Sequence, residues 1–256
     1  MKINKKFDLL VVLIFLGIVV VIALIFNLKP LIFGTFYLLF GSIYLILREK
    51  KNFLKIFLAV VVFGFLYGFV FDFVETYNKA WTITRLVFPW KALGILPLDD
   101  ILGFILMTLF IVVFYEHFLD DEKNRRISKN LKWSLIPIAV GSIPILVAYF
   151  VDLNLLRIPY VYLVGGILAI IFPFAFSLYK PRFLEKFLKL AAFFFIVWFV
   201  LELVALETGG WVFAGEYIGT VEILGLVFPF EELFFWMFWY AAAVVSYYEF
   251  FIDDKK

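Results

Sequence analysis

Lys50-Lys51-Asn52-Phe53-Leu54-Lys55-Ile56-Phe57-Leu58 returns 130 positions later as Lys180-Pro181-Arg182-Phe183-Leu184-Glu185-Lys186-Phe187-Leu188. Working outward, Glu75-Thr76 matches Glu207-Thr208 at a shift of 132, and a tryptophan follows each, Trp81 or Trp211. Pro97-Leu98-Asp99-Asp100 matches Pro229-Phe230-Glu231-Glu232 at the same shift. Tyr115 and Phe118 then match Tyr247 and Phe250, and Asp121 matches Asp253. A shift that drifts by only two residues from the first match to Pro229-Phe-Glu-Glu232 is the mark of an internal repeat, which governs how the rest of the chain is read. The expected units are residues 1–126 and 127–256.

Composition supplies the solvent for these units. Hydrophobic residues make up 65% of the chain and charged residues 17%, against roughly half apolar in ordinary globular domains. One core cannot bury that much apolar surface, so lipid is the expected solvent. A helix crosses the hydrocarbon layer with about 20 apolar residues. Eight segments meet or approach that length: 7–26, 31–47, 54–74, 97–118, 133–151, 158–179, 187–206 and 229–251. The first lacks a small-residue cleavage site and is expected to be a span rather than a removable signal. The expected fold is therefore all-α, a polytopic transmembrane helical bundle of about eight spans in two four-helix repeats.

Lysines and arginines set the expected orientation. The N-terminal residues and segments 48–55, 123–132, 180–189 and 255–256 hold 18 of the 23; Lys29, Lys79, Arg85, Lys91 and Arg157 are the rest. Eight spans with both termini cytoplasmic, in a cell membrane, put every basic segment on one side. An even number of helices per unit gives both copies the same orientation, a parallel repeat about an axis along the membrane normal. Equivalent motifs then lie at one depth and can share a cavity. The two acidic motifs fall on the non-cytoplasmic side, next to the longer loops 75–96 and 207–228.

Several chemistries are excluded. There are no cysteines, hence no disulfide, thiolate metal site or cysteine nucleophile. No phosphate-binding loop, dinucleotide fingerprint or zinc motif occurs, and neither metal nor cofactor is expected. The net charge of +2 and the lack of a basic stripe argue against nucleic acid. The lone histidine, His117, reads as a surface residue beside the end of the fourth span.

What remains is the acids. A Pro-x-acid-acid motif is in the first place a helix start, with proline at the first position and acids complementing the dipole. Duplication, and Glu75 and Glu207 at the ends of the preceding helices, shift Asp99, Asp100, Glu231 and Glu232 toward function, since ionisable groups at membrane depth are costly. Adjacent carboxyls resist carrying two negative charges, which leaves one protonated and one ionised. That pairing supplies a proton donor and a proton acceptor for an apolar substrate. Glu75, Glu207, Trp81, Trp211, Phe234 and Phe235 are candidates to line the substrate, the rings because aromatic faces stabilise cations, although a belt at the membrane interface accounts for most such aromatic residues. Asp72 and Glu202, at a shift of 130, could deepen the acidic site, and Arg85 and Lys91 could pair with it.

These residues resemble a known family. Trp81 followed by Leu93-Gly-Ile-Leu-Pro-Leu-Asp-Asp-Ile-Leu-Gly-Phe104, and Trp211 followed by Leu224-Gly-Leu-Val-Phe-Pro-Phe-Glu-Glu-Leu-Phe-Phe235, are similar to the lycopene cyclase domain family. Its members are flavin-free, membrane-embedded carotenoid cyclases. The resemblance covers the third and fourth spans of each copy, and elsewhere only the hydrophobic pattern. It implies an isomerase acting on a linear polyene or isoprenoid: Glu231/Glu232 and Asp99/Asp100 protonate the terminal double bond and later take a proton from the cyclised cation. No redox cofactor is consumed. The first copy departs from the pattern, with Asp-Asp for Glu-Glu and Gly103 where the second has Phe235, so the second copy is the expected site. A homo-oligomer is compatible with the family, whose units occur fused or paired. Two other readings stand beside it: a transporter or lipid-binding protein with acids at the repeat interface, hinted at by Pro144 and Pro173, and a glutamate-dependent intramembrane protease, which lacks its arginine and histidines here.

Overall fold

A segment solvated by lipid must satisfy its own backbone polar groups, which favours helices. The computed structural model, which describes residues 4–48, 53–120 and 126–253, is mostly helical. Seven helices are long and apolar enough to cross a membrane: α1 (Lys5–Phe26), α2 (Pro30–Arg48), α3 (Phe53–Tyr77), α4 (Leu98–Phe118), α5 (Lys129–Val151), α6 (Val161–Tyr179) and α7 (Arg182–Glu207). The last, α8, is a π-helical stretch, Glu232–Trp239, continuing as α-helix Tyr240–Phe251. Its tryptophans, tyrosines and the glutamates Glu232 and Glu249 dilute its apolar content, so the eighth expected span is a helix that falls outside the seven. The Lys50–Asn52 part of the first match, Asp121, and the basic residues Lys2, Lys50, Lys51, Lys123, Arg125, Lys255 and Lys256 lie outside the described residues.

Local chemistry sets the helix ends. Asn4 caps α1 by accepting a hydrogen bond from the Phe7 amide at 3.2 Å, and Asn27 closes it in the left-handed conformation (φ 46°). Pro30 then opens α2, where its missing N–H costs nothing. Pro144 and Pro173 lie within α5 and α6, and both helices run on past them, so neither marks a broken span.

The bundle shows its apolar side chains to its surroundings. Leu10, Ile14 and Ile18 of α1 and Val140, Val147 and Phe150 of α5 are exposed, as lipid solvation requires. Inside, one core runs from Val12 to Ile252 through both halves of the chain. Gly166 lets α6 approach α8 closely: a Cβ there would stand 2.5 Å from Cγ of Phe235.

Polar pairs stitch together the end of the bundle where α1 begins and α4 ends. Asp8, fully buried, accepts from Tyr44 Oη (2.7 Å) and Arg48 Nε (2.8 Å) and meets His117 Nε2 at 3.0 Å. His117 is thus a buried partner of Asp8 and not a surface residue. Lys55 pairs with Asp253. Tyr115 donates to Glu249 while Tyr248 donates to Glu116, with the two rings edge to face at 6.3 Å. That reciprocal exchange sets Tyr115-Glu116 against Tyr248-Glu249, an offset of 133, so Tyr115 pairs by position with Tyr248 and not with Tyr247. One extra residue separates this pair from the acidic motif of α8, and the π-helical stretch between them accommodates it.

At the other end the long loops form short sheets, a departure from a purely all-α fold. Strand β1 (Thr82–Ile83) pairs antiparallel with β4 (Trp211–Val212), setting Thr82 opposite Val212, 130 positions on. Strands β2 (Lys91–Ala92) and β3 (Leu96–Pro97) form one hairpin, and β5 (Thr220–Ile223) and β6 (Leu226–Pro229) another. Leu224-Gly225 turns the second with φ 56° and 80°, the geometry of a type I′ turn, and Leu93-Gly94 follows at 50° and 71°. Strands of two to four residues are too short for alternation to reveal them in sequence.

Gly166→Ala is expected to cost about 1–3 kcal/mol of stability, because Phe235 cannot retreat without moving α8. A fall in the unfolding midpoint of the purified protein in mixed micelles checks this; an unchanged midpoint would mean that the helices separate freely.

Candidate functional site

Beneath the sheets the ends of α3, α4, α6, α7 and α8 converge on a cavity of about 140 Å³. Carboxyl groups reach it from four helices: Glu75 from the last turn of α3, Asp99 and Asp100 from the first turn of α4, Glu202 from α7 and Glu232 from α8. All five are buried. Among the described residues, no lysine, arginine or histidine lines it. Arg85 instead bonds Asn27 and the Thr208 carbonyl. Aromatic rings supply most of the remaining wall, among them Trp81, Trp211, Trp198, Trp236, Tyr162 and Tyr240.

The two halves of the chain contribute matching pairs. Trp81 Nε1 donates to Asp72 Oδ1 at 3.2 Å, and Trp211 Nε1 donates to Glu202 Oε1 at 2.8 Å. The two indoles meet edge to face, 5.7 Å apart. Asp72, weighed in the sequence only as a deeper extension of the site, thus stands behind Trp81, while Glu202 lines the cavity itself.

The acidic doublets divide into two kinds of carboxyl. The first member of each holds a loop: Asp99 accepts from the amides of Val87 (2.6 Å) and Phe88 (3.0 Å), and Glu231 accepts from the amide of Ile218 (2.7 Å). Asp99 still touches the cavity, whereas Glu231, fully buried, is not part of its lining. The second members, Asp100 and Glu232, face the interior. Glu232 accepts a hydrogen bond from the hydroxyl of Tyr162, whose ring stacks on Trp236 at 5.5 Å. Asp100 Oδ1 and Glu75 Oε1 are buried with no hydrogen-bond partner in the protein, an arrangement that costs roughly 1–3 kcal/mol each.

Three expected lining residues are elsewhere. Glu207 is exposed. It was matched to Glu75 at a shift of 132, but Asp72/Glu202 and Trp81/Trp211 both obey 130, which makes Ala205 the counterpart of Glu75. Two residues on a helix are about 200° of rotation, enough to point Glu207 away. Phe234 is half-exposed and stacks on Phe230 at 6.0 Å, and Phe235 packs onto Gly166. Trp236 and Tyr240 present the aromatic faces from α8 instead. Tyr162 was missed altogether: its position minus 130 is Ile32, so comparison of the two halves could not flag it.

Five buried carboxyls around one apolar space repel one another, and the charge of Lys91 acts on Asp100 from outside the cavity lining. Tyr162 stands among them as the hydroxyl partner of Glu232. Above it, burial pushes the Tyr217 phenol up to about 12, so it remains a donor to the Ala80 carbonyl and ties the loop after β4 to the start of the loop before β1. A metal-like spacing of acids occurs at the opposite end of the bundle, at Asp120, Glu249 and Asp253, where Lys55 already pairs with Asp253.

Asp99→Ala and Glu231→Ala are expected to raise amide hydrogen exchange around Val87–Phe88 and Ile218 by at least about tenfold, the equivalent of about 1.4 kcal/mol of local opening. Asp100→Ala and Glu232→Ala should leave those amides protected; equal loss in all four variants would refute the division of labour.

No family model matches the chain, and no curated protein and no solved structure matches it significantly, so its function is argued from its residues and their geometry.

Proposed function

We propose that this protein is a membrane-embedded cyclase that isomerises the end group of a linear polyene of the lycopene type by acid–base chemistry. The observation that carries the reading is the convergence of Asp100, Glu75, Glu202 and Glu232 on an aromatic-walled cavity with no basic group among its described lining residues. A protonated carboxyl there adds a proton to the terminal double bond. The cation closes on the neighbouring double bond, forming one carbon–carbon bond, and an ionised carboxylate removes a proton from the ring. Atoms balance without oxidant or reductant, so the product is an isomer. Trp81, Trp211, Trp236 and Tyr240 face the intermediate cation with π surfaces, worth about 2 kcal/mol or more each where water is excluded. Glu232, with its Tyr162 partner, is the chosen proton donor of the second half, Asp100 its counterpart in the first.

The same reading takes the chain as eight spans in two parallel four-helix copies, with both termini cytoplasmic and the sheets outside. The Tyr115–Glu249 and Tyr248–Glu116 exchange and the Thr82–Val212 register support this, since each joins corresponding positions across a local two-fold. The similarity of the Trp, Leu-Gly and Pro-x-acid-acid elements to lycopene cyclases supports the substrate class.

Expression in lycopene-accumulating cells tests the proposal. Chromatography should reveal cyclised pigment, and Glu232→Gln should lower its formation by about 10²–10⁴, the range of a lost general acid. Glu231→Gln, which keeps an oxygen for the Ile218 amide, should lower it far less. Unchanged lycopene in cells with well-folded protein would sink the reading for that substrate.

A further inference from the structure

A second cavity, of about 50 Å³, lies behind one wall of the first, bounded by α3, α6 and α8. Phe104, Trp236 and Tyr240 line both spaces, so a single layer of rings separates them. Tyr240 holds the middle of that layer, with its ring 6.1 Å from that of Phe104, edge to face, and 6.1 Å from that of Trp236. Beyond it Ala243, Val244 and Tyr247 continue along α8 at the spacing of one helix face. Phe63, Tyr67 and Phe71 line the same space from α3. Tyr247 closes the far end against Phe63 and Tyr67, at 6.0 and 5.6 Å.

This second space differs in kind from the first. Among the described residues no charged group lines it, and Tyr67 spends its hydroxyl on the Ser134 carbonyl at 3.4 Å. Well-packed interiors hold few voids larger than a water molecule, and two features build this one. Both of its long walls are locally widened helices: α3 is π-helical over Val60–Tyr67 and α8 over Glu232–Trp239, a form that recurs at functional sites. Gly68, Ala169 and Ala243 then place small residues at the wall, one from each of its three helices.

The two cavities follow one another along the bundle. Phe104 stands four residues beyond Asp100 on α4, and Val244 four beyond Tyr240 on α8, each step about 6 Å of helix. At about 140 Å³ the acidic cavity compares with an engineered cavity of about 150 Å³ that admits one benzene. It takes a ring-sized end group, and the chain behind that group needs further apolar space. The ring layer is the wall best able to yield. Side chains with a void on either side lack part of the dispersion contact that holds a packed ring.

We infer that the second cavity is a subsite for the chain of an apolar isoprenoid: the end group lies among the acids, and the methyl-branched segment behind it lies past Tyr240, between α3 and α8. The choice of an isoprenoid rests on the cyclase reading, whereas the subsite rests on the two cavities and the ring layer between them. Tyr240 is then the ring that the chain displaces, and it sets how deeply a ligand enters.

The test is photolabelling of the full-length protein in lipid nanodiscs, read by mass spectrometry of the labelled peptides. The probe is an acyclic isoprenoid hydrocarbon of three units with a diazirine on its third unit. Label is expected on Phe63, Tyr67, Ala243 and Val244, all buried and so reached only from inside the bundle. The same hydrocarbon with the diazirine on its first unit should label Trp81 and Trp211 instead. Ala169→Phe and Ala243→Phe, which fill the second cavity from two different helices, are expected to lower third-unit label there about tenfold relative to first-unit label, since a filled core site resists further insertion. If neither variant folds, the map on the natural chain decides alone. Third-unit label confined to lipid-facing side chains such as Leu10 and Val140, label in the first cavity only, or label indifferent to both filled variants would each overturn the subsite. Label in both cavities without cyclised pigment in the expression assay would retain the subsite and overturn the cyclase. Cyclised pigment with the second cavity unlabelled would do the reverse.

Discussion

Carboxyl groups held inside an apolar bundle are the constraint on which the rest of this structure depends. An unpaired buried carboxylate is among the costliest groups a protein can hold, yet Asp72, Glu75, Asp100, Glu202 and Glu232 are all nearly inaccessible within a few turns of one another. The fold meets part of that cost with donors. Indole N–H groups go to Asp72 and Glu202, a phenol goes to Glu232, and backbone amides go to Asp99 and Glu231. Each donor must arrive from outside the helix that carries the acid, which explains why the loops before α4 and before α8 are folded into sheets. The β1–β4 pairing presses Trp81 and Trp211 down onto the acids of α3 and α7.

The opposite end of the bundle obeys the same rule with different partners. Asp8, Glu116, Glu249 and Asp253 are satisfied by Arg48, Lys55, His117 and two tyrosines. Cations bond the acids there, whereas none stands among the described residues that line the cavity. An ion pair fixes a charge in place, which suits a structural clasp. A carboxyl bonded only to neutral donors can exist with or without its proton, which suits a group that must give one up and take it back. The contrast between the ends separates residues that hold the bundle from residues able to do chemistry.

Much of this was legible in the sequence, because lipid solvation would enforce long apolar runs and the recurrence of short motifs 130–132 residues apart drew attention to them. The spans, the tryptophans at 81 and 211 and the two acidic doublets were all visible from those signals. What escaped was register. The Glu75–Glu207 match ignored a two-residue slip that a helix converts into the opposite face, and the Tyr115–Tyr247 match ignored one residue absorbed by the π-helical stretch of α8. The doublets looked like equal partners because adjacent carboxyls are indistinguishable until a loop amide chooses one of them. Tyr162 and the burial of His117 were beyond reach, since each depends on a helix that only the folded bundle brings near.

The π-helical stretch also explains how two similar halves come to differ. In α4 the regular helix sends Asp100, Gly103, Phe104 and Met107 to the cavity wall. In α8 the widened helix, at more than four residues per turn, sends Glu232, Trp236 and Tyr240 there and turns Phe234 and Phe235 away from it, onto Phe230 and Gly166. A single added residue thus gives the second half a continuous aromatic face beneath its acid, while the first half carries Gly103, Phe104 and Met107 beneath its own. Two equal units placed about a shared cavity would by symmetry offer two equal walls. Here the walls differ, so matching positions in the sequence give Asp100 and Glu232 different surroundings.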